Sequence, residues 1–430
     1  MRLIRTKGRG AQQAAEVLVA LEHRGGAALD TVLPAVKRIV AGVRRQGDRA
    51  LLRYAAQFDG LAGADALRVT AAEMAAAWEA IDPALRQALS TAAAQIRSFA
   101  QRQMPATWNF SPTADLSTGQ LVRPLGSVGC YVPSGRHPLP STLLMTAIPA
   151  QVAGVERIVV VSPRPAPETL AAAHLLGIAE FYRLGGAHAV AALAYGTANL
   201  PRVDKIVGPG NLYVTAAKRL VAFDCAIDML AGPTEIVVTS ERGTAANIAS
   251  DLVAQAEHDP EALAIFVTTR ADLAKNVIAE ARVRSRNNAI ARAALDRNGL
   301  VIVAANVREA RAITNRLAPE HLTVDAAGDL DWVQNAGSVF IGRWSAQPMG
   351  DYISGPNHTL PTGGTARVRG GLSVNDYVKL ITVQQYYSAR GLRALGLQAA
   401  LLAEAEGLTG HAEAIRTRLC KSPAKGRSRD

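Results

Sequence analysis

From residue 157 onward the chain changes rhythm, and that change narrows the folds open to it. Short β-branched runs alternate with helix-length segments: strands are expected at 157–162, 181–184 and 205–207, with helices at 167–176, 187–195 and 211–222. After Ala231-Gly232-Pro233 the alternation starts again. Strands are expected at 235–239, 264–268, 300–304, 321–325 and 338–341, separated by helices at 244–257, 272–295 and 307–317. Strands alternating with helices of this length build parallel sheets from βαβ units. Because the pattern runs once on each side of Ala231-Gly232-Pro233, two sheets related by duplication fit better than one very wide sheet. The 430-residue length agrees, since a single core stops growing beyond about 250–300 residues.

The flanks differ. Up to about residue 105, Ala/Leu-rich stretches at 11–22, 30–58 and 71–103 carry apolar residues at three- and four-residue spacing, the helical period. Residues 104–140, punctuated by Pro105, Pro112, Pro124, Pro133 and Pro138, are expected to be extended and loop-rich. After Gly370 the chain is expected to return to helix, notably at 392–406, and to end in a basic tail with Lys421, Lys425, Arg427 and Arg429 among Ser, Pro and Gly.

The bulk numbers exclude several classes. The chain is 49% apolar and 19% charged, an ordinary globular balance, and no window approaches the ~18 consecutive apolar residues of a membrane span. Residues 1–12 are basic and read as the start of a helix in a cytoplasmic protein. Their charge alone would also suit a transit peptide, but no apolar segment follows to make a secretory signal. Cys130, Cys225 and Cys420 form no CxxC pair, which argues against a disulfide scaffold or a thiolate zinc site and suits a reducing compartment. The net charge of +11 sits partly in the tail. With no helix-turn-helix, stacking platform or zinc finger, it points to an enzyme that uses an anionic cosubstrate before a nucleic-acid-binding protein.

Against this apolar background, four of the eight histidines fall in short polar motifs of the second half: Gln255-Ala-Glu-His258, Glu320-His321, Asp351 running on to Asn357-His358, and Glu406 followed by His411. Gln255 and His258, three apart on one helix, share a face, and an amide oxygen and an imidazole can both ligate a borderline cation. Taken alone, that pair reads as a polar helix end before it reads as a metal site. Glu320-His321 lies where a helix meets a strand, and a carboxylate beside an imidazole supplies two proton-transfer groups of different pKa. Gly350, Gly355 and Pro356 make the 350–358 segment a tight loop, a usual carrier of functional side chains. In the first half, Gly185-Gly186 and Gly208-Pro-Gly210-Asn211 each follow a predicted strand and open a helix, where backbone amides favour an anion. Neither is the G-x-G-x-x-G fingerprint.

Seven motifs in order resemble the histidinol dehydrogenase family: Gly-Cys-Tyr131-Val-Pro-Ser-Gly, Leu-Gly-Gly-Ala-His188, Ile-Val-Gly-Pro-Gly-Asn211, Asp-Met-Leu-Ala-Gly-Pro-Thr234-Glu, Gln255-Ala-Glu-His258-Asp-Pro, Ala-Pro-Glu320-His321-Leu and Gly-Asp351-Tyr-Ile-Ser-Gly-Pro-Asn-His358. The resemblance implies an α/β fold of two Rossmann-like parallel-sheet domains, an incomplete dinucleotide fold, with N- and C-terminal helical extensions. It divides the chain into an N-terminal extension (1–25), a discontinuous α/β domain (26–130 and 236–370), an NAD-side α/β domain (131–235) and a C-terminal dimerisation extension (371–430). It further implies a cytoplasmic homodimer that oxidises L-histidinol through L-histidinal to L-histidine, with NAD and one Zn2+ per subunit.

Carried over motif by motif, Gln255, His258, Asp351 and His411 would hold the zinc, and Glu320 and His321 would be the acid/base pair. His321, His358, Thr234 and Glu406 would meet the substrate alongside the zinc ligands. Tyr131, His188 and Asn211 would lie along NAD. His411 and Glu406 would act across the dimer, and neither nucleic acid nor a membrane is an expected partner.

Three positions depart from the family's pattern. His188 stands where Gln is usual, Thr234 where Ser is usual, and Gln347 where many members carry Glu. Imidazole can still hydrogen-bond a ribose, and Thr keeps the hydroxyl. The Gln347 position removes a carboxylate that would attract a cationic amino alcohol. It keeps open a same-fold dehydrogenase of another small alcohol, such as a sulfonated diol, as does Arg136-His137 near the expected entrance. A zinc hydrolase is the rival from another class, since zinc, Glu and His also activate water.

Overall fold

The computed structural model describes residues 1–24, 29–134 and 138–419. Arg136-His137, Cys420 and the basic tail lie outside the described residues. In chain order the strands are β1 (Arg2–Arg5), β2 (Arg68–Val69), β3 (Trp108–Thr113), β4 (Leu116–Pro124), β5 (Ser127–Tyr131), β6 (Arg157–Val161), β7 (Glu180–Tyr182) and β8 (Lys205–Val207). They continue as β9 (Ala226–Ile227), β10 (Glu235–Thr239), β11 (Leu263–Thr268), β12 (Leu300–Val303), β13 (His321–Val324), β14 (Ser338–Ile341) and β15 (Val378–Tyr386).

Two compact units result. The larger, Met1–Met104 with Leu125–Tyr377, holds two six-stranded sheets of one design. The first has the order β1-β12-β11-β10-β13-β14 and the second β2-β7-β6-β5-β8-β9. In each, the chain begins at a central strand, steps outward twice on one side, then returns to fill the other. In each, the far edge is closed by a strand from the N-terminal part of the chain. Pairing is parallel throughout the β10 sheet, while β2 joins β7 antiparallel in the β5 sheet. This is the doubly wound α/β architecture, twice.

The residues explain the arrangement. Glu235–Thr239 and Leu300–Val303 are buried along their whole length, as expected of parallel strands covered on both faces. One face of the β10 sheet packs Ile236, Val238 and Phe266 with Leu252, Val277 and Leu295. The other packs Val237, Ile265 and Leu322 with Leu18, Ile313 and Leu317. In the β5 sheet, Val159, Val161 and Ile206 meet Val36, Val40, Val190, Leu193 and Val214. Helix Pro140–Ala153 is apolar all round and almost wholly buried, the expected state for a helix without a polar face.

Strand pairing corrects several expectations. The first residues form β1, not a helix: Leu3 and Ile4 pair with Val301 and Ile302 across nearly the whole chain. Residues 1–22 therefore belong with the β10 sheet. Residues 29–104 and 125–131 go with the β5 sheet instead, because helix Leu29–Gln46 packs on that sheet's helices and β2 and β5 are two of its strands. The helix expected at 272–295 is two, Ala271–Arg284 and Ala289–Asn298, with Asn288 capping the second.

The smaller unit comprises Pro105–Pro124 and the chain from Val378. It holds an antiparallel sheet ordered β15-β4-β3 and a helical hairpin, Ala389–Ala405 and Thr409–Leu419. Residues 378–386, expected as helix, are a nine-residue strand fully registered on β4, Val378 opposite Pro124 and Tyr386 opposite Leu116. Among the described residues no helix is long and apolar enough to cross a membrane.

Candidate active site

Neighbouring strands β10 and β13, in register at Ile236 and His321, bring Thr234, Glu235, Glu320 and His321 together at their amino ends. Glu320 Oε2 accepts the Thr234 hydroxyl at 2.6 Å and the Glu235 backbone N–H at 2.8 Å. The amide of Gln255, in the last turn of helix Ala245–Ala256, donates to the same Thr234 hydroxyl. A single chain of contacts thus runs Gln255, Thr234, Glu320. Glu235 itself turns away, held bidentate by Arg24 at 2.7 and 2.6 Å, and is a structural ion pair; burial pushes its carboxyl up against the pull of Arg24.

His321 is buried with both ring nitrogens committed in direction. Nδ1 donates to the Glu235 carbonyl at 3.1 Å and lies 3.5 Å from Glu320 Oε2. Nε2 lies 3.6 Å from Asp351 Oδ1 and has no hydrogen-bond partner among the described residues. Burial alone would push the imidazole down, but the Glu320 and Asp351 carboxylates outweigh it and raise the ring to about 10. Correspondingly, burial pushes Asp351 up, yet the adjacent His321, with His358 and His258, holds its carboxyl below the ordinary value.

Asp351 comes from the short helix Gln347–Tyr352, and its Oδ2 accepts the Gln347 amide at 2.8 Å. The loop after it is pinned at both ends: Asn357 Nδ2 donates to Met145 O at 2.6 Å and His358 Nδ1 to Asp351 O at 2.8 Å. Burial lowers the His358 pKa, so its Nε2, 3.4 Å from Thr142 Oγ1, is an acceptor at neutral pH. His321, Phe340, Asp351, Asn357 and His358 line a cavity of about 350 Å³.

The residues fit a borderline cation. Gln255 Oε1 is buried and, among the described residues, has no donor to satisfy it, a cost that a metal ligand role removes. His258 is exposed at the end of the same helix, and its Nδ1 is taken by Ala254 O at 3.1 Å, which leaves Nε2 as the atom that could ligate a cation. Asp351 supplies a carboxylate. Among the described residues no three of His, Cys, Asp and Glu could hold a metal, so this set needs the Gln amide and a further ligand. His411 and Glu406 belong to the smaller unit, both exposed, His411 in helix Thr409–Leu419 and Glu406 at the end of Ala389–Ala405.

Of the three coenzyme candidates, two stand at the carboxyl edge of the β5 sheet, where its strand order reverses between β5 and β8. Tyr131 ends β5, and its hydroxyl accepts the Gly186 N–H at 2.9 Å. Asn211 caps helix Leu212–Val221 through its side-chain oxygen, bonded to the Tyr213 and Val214 amides at 3.0 and 3.2 Å. Gly208 sits at the end of β8 with φ +108°, and a Cβ there would lie 2.2 Å from the Tyr131 carbonyl oxygen. Only glycine fits so close an approach. His188 differs from expectation. Its ring is 1% exposed, and Nε2 is bonded to Asp59 Oδ2 at 2.7 Å, so it faces the core behind the Gly185-Gly186 turn. No sequence pattern singles out Asp59.

The fold and site thus define an α/β enzyme with a carboxylate–imidazole pair on one sheet and a nucleotide-type crevice on the other. The histidinol dehydrogenase family model matches residues 22–419. Histidinol dehydrogenases of Syntrophotalea carbinolica and Geobacillus kaustophilus are 46% and 47% identical over 414 and 399 residues, covering 94% and 90% of this chain and 96% and 94% of theirs. The crystal structure of histidinol dehydrogenase from Elizabethkingia anophelis superposes with a TM-score of 0.90 at 33% identity, covering 97% of this chain and 98% of that one. The chain belongs to the histidinol dehydrogenase family.

Proposed function

We propose that this chain oxidises L-histidinol to L-histidinal and then to L-histidine, passing one hydride to NAD in each step. The observation that carries the reading is the Glu320–His321 pair, held by Thr234 and the Glu235 backbone, on a chain of this family. In the first step an alcohol loses hydride from carbon and a proton from oxygen. With Nδ1–H fixed on the Glu235 carbonyl, His321 directs Nε2 toward Asp351; with Asp351 engaged as a metal ligand, its pull on the ring would weaken, and Nε2 of the neutral ring would take the hydroxyl proton. In the second step water adds to the aldehyde and the hydrate gives up a second hydride. Glu320, whose Oε2 is already fixed by two donors, takes the water proton. Enclosure of the aldehyde between the steps protects it.

Gln255, His258 and Asp351, with His411 of the partner subunit, would hold one zinc. When bound, zinc orients the amino and imidazole nitrogens of the substrate and draws on the Asp351 charge. His358 would accept a hydrogen bond from the substrate at Nε2, and Glu406 of the partner subunit would meet it from across the dimer. Tyr131 and Asn211 would flank NAD, with His188 bracing the Gly185-Gly186 turn from behind.

The homodimer is supported by two surfaces. Helix Ala389–Ala405 exposes Leu397, Leu401 and Leu402. An apolar cavity of about 910 Å³, bordered by Leu85, Leu89, Leu144, Tyr352 and Ile353, opens beside His258. Cys130 and Cys225 are buried free thiols, which suits the cytoplasm.

A second reading, a dehydrogenase of the same fold acting on another small alcohol, rests on Gln347. This side chain is fully buried beside Asp351 and puts an amide where a carboxylate would favour an amino alcohol. The test is NADH yield from limiting L-histidinol with and without a chelator. Two NADH per histidinol, abolished by chelation and restored by zinc, is expected. No NADH from folded, zinc-loaded protein would favour the second reading.

A further inference from the structure

The two sheets share one strand order, and the coenzyme crevice proposed for the β5 sheet lies at its switch point. The β10 sheet has its own switch point, between β10 and β13. The acid/base pair uses the amino ends of those strands and leaves the carboxyl ends to other work. At the carboxyl ends, ligands of doubly wound sheets bind in the crevice where strand order reverses. Here that crevice is a cavity of about 470 Å³, in the lower half of the range of small-molecule pockets, about 300–1,000 Å³.

Its chemistry is specific. Val238, Ile248 and Val324 give it an apolar floor. Thr323 lies two residues beyond His321 on the same face of β13, and its hydroxyl is buried with no partner among the described residues. At the mouth the Arg343 guanidinium stands 4.3 Å over the Trp344 ring, and that indole is 83% exposed. A flat cation–aromatic pair of this kind is a stacking platform for a planar base. Arg242 adds a second exposed cation.

Two carboxylates also line the cavity, while Arg242 and Arg343 stand at its exposed mouth. Asp325 is consumed internally by the Ser240 hydroxyl at 2.5 Å and by the Glu241 and Arg242 amides at 2.7 and 3.1 Å. Asp251, pushed up to about 6 by burial, takes up a proton more readily than an ordinary carboxylate when an anion binds beside it.

We propose that the carboxyl-end crevice of the β10 sheet is a second ligand site, taking a nucleoside monophosphate with its base on Trp344 and Arg343 and its phosphate on Arg242. The Thr323 hydroxyl then gains the partner it lacks. A dinucleotide in the β5 sheet and a mononucleotide in the β10 sheet would be the two uses of one duplicated design.

The test is calorimetric titration of adenosine monophosphate into the full-length protein, once with saturating NAD and no histidinol, and once with histidinol and no NAD. Binding in both conditions is expected, weakened at least about tenfold by Arg242→Ala, which removes a charge-assisted contact. Thr323→Val, which adds no bulk, should also weaken it severalfold. Unchanged thermal midpoints would show that both variants fold.

Loss of binding in the presence of NAD or of histidinol would place the nucleotide in one of the sites already described and overturn the proposal. So would an affinity indifferent to Arg242→Ala, no binding at all, or inorganic phosphate binding as tightly as the nucleotide. The Arg242→Ala comparison needs no bound NAD, so a failure of the coenzyme reading would be visible separately.

Discussion

His188 Nε2 lies 2.7 Å from Asp59 Oδ2, and both side chains are buried. Asp59 also stands 3.4 Å from the Gly185 N–H, so one carboxylate ties the imidazole to the turn that opens helix Gly186–Tyr195. Tyr54 and Phe58 pack around the ring at centroid distances of 6.1 and 5.8 Å. Removing either partner leaves the other buried and unsatisfied. Asp59→Ala is expected to cost about 2–4 kcal/mol, measured by urea unfolding. His188→Gln, which keeps a donor for Asp59, should cost less than about 1.5 kcal/mol. Both should raise the KM for NAD more than they lower kcat, because they act on the turn and not on the reacting atoms. Equal stability of Asp59→Ala and the parent would show that the pair is not holding the turn.

That relationship also marks where sequence reading stops. The alternation of β-branched runs and helices after residue 157 is local, so both sheets and most of their helices could be read from it. Glu320 and His321 could be read as a unit because they are adjacent. Asp59 and His188 are 129 residues apart, and no spacing rule joins them. Likewise β1 is four residues long and pairs only with β12, so its strand character comes from a partner that local pattern cannot reveal. Val378–Tyr386 is mostly exposed and lacks a clean alternation. It becomes a strand because β4, whose paired residues lie 254 to 270 positions earlier in the chain, offers nine paired positions.

Glu320→Gln preserves an oxygen to accept from Thr234 and Glu235, so the fold should be retained. It removes the proton acceptor assigned to the second step. Oxidation of supplied L-histidinal is expected to fall by about 10²–10⁴, with hydride transfer from L-histidinol reduced far less. Single-turnover NADH formation separates the two steps. An unimpaired aldehyde step in this variant would remove Glu320 from water activation.

Asp251 gives a pH dependence with a definite sign. Burial raises its pKa from 3.8 to about 6 in the folded protein, so folding disfavours the charged form. Its stabilising share is complete below pH 3.8 and is lost as pH rises through about 6. The full difference corresponds to about 3 kcal/mol, which solvent reaching this partly exposed side chain reduces to about 1–2 kcal/mol. Asp251→Asn should therefore match the parent near pH 4 and exceed it by about 1–2 kcal/mol above pH 7. Urea midpoints across that range measure it, and a gap constant with pH would mean that Asp251 does not titrate differently on folding.

Gln347→Glu tests how the substrate is chosen. In the parent the Gln347 amide donates to Asp351 Oδ2 at 2.8 Å, and its own oxygen is buried without a partner among the described residues. A carboxylate there loses the donor and sets a second negative charge beside Asp351. Without ligand, that buried repulsion is expected to cost about 1–3 kcal/mol of stability. With a cationic amino alcohol bound, the same charge becomes favourable, and the KM for L-histidinol is expected to drop severalfold. Thermal midpoints with and without L-histidinol read both effects in one protein: the variant should start lower than the parent and gain more on adding substrate. A variant that starts lower and gains nothing would mean that position 347 does not face the ammonium group, and the preference for the substrate would then have to be set elsewhere in the cavity.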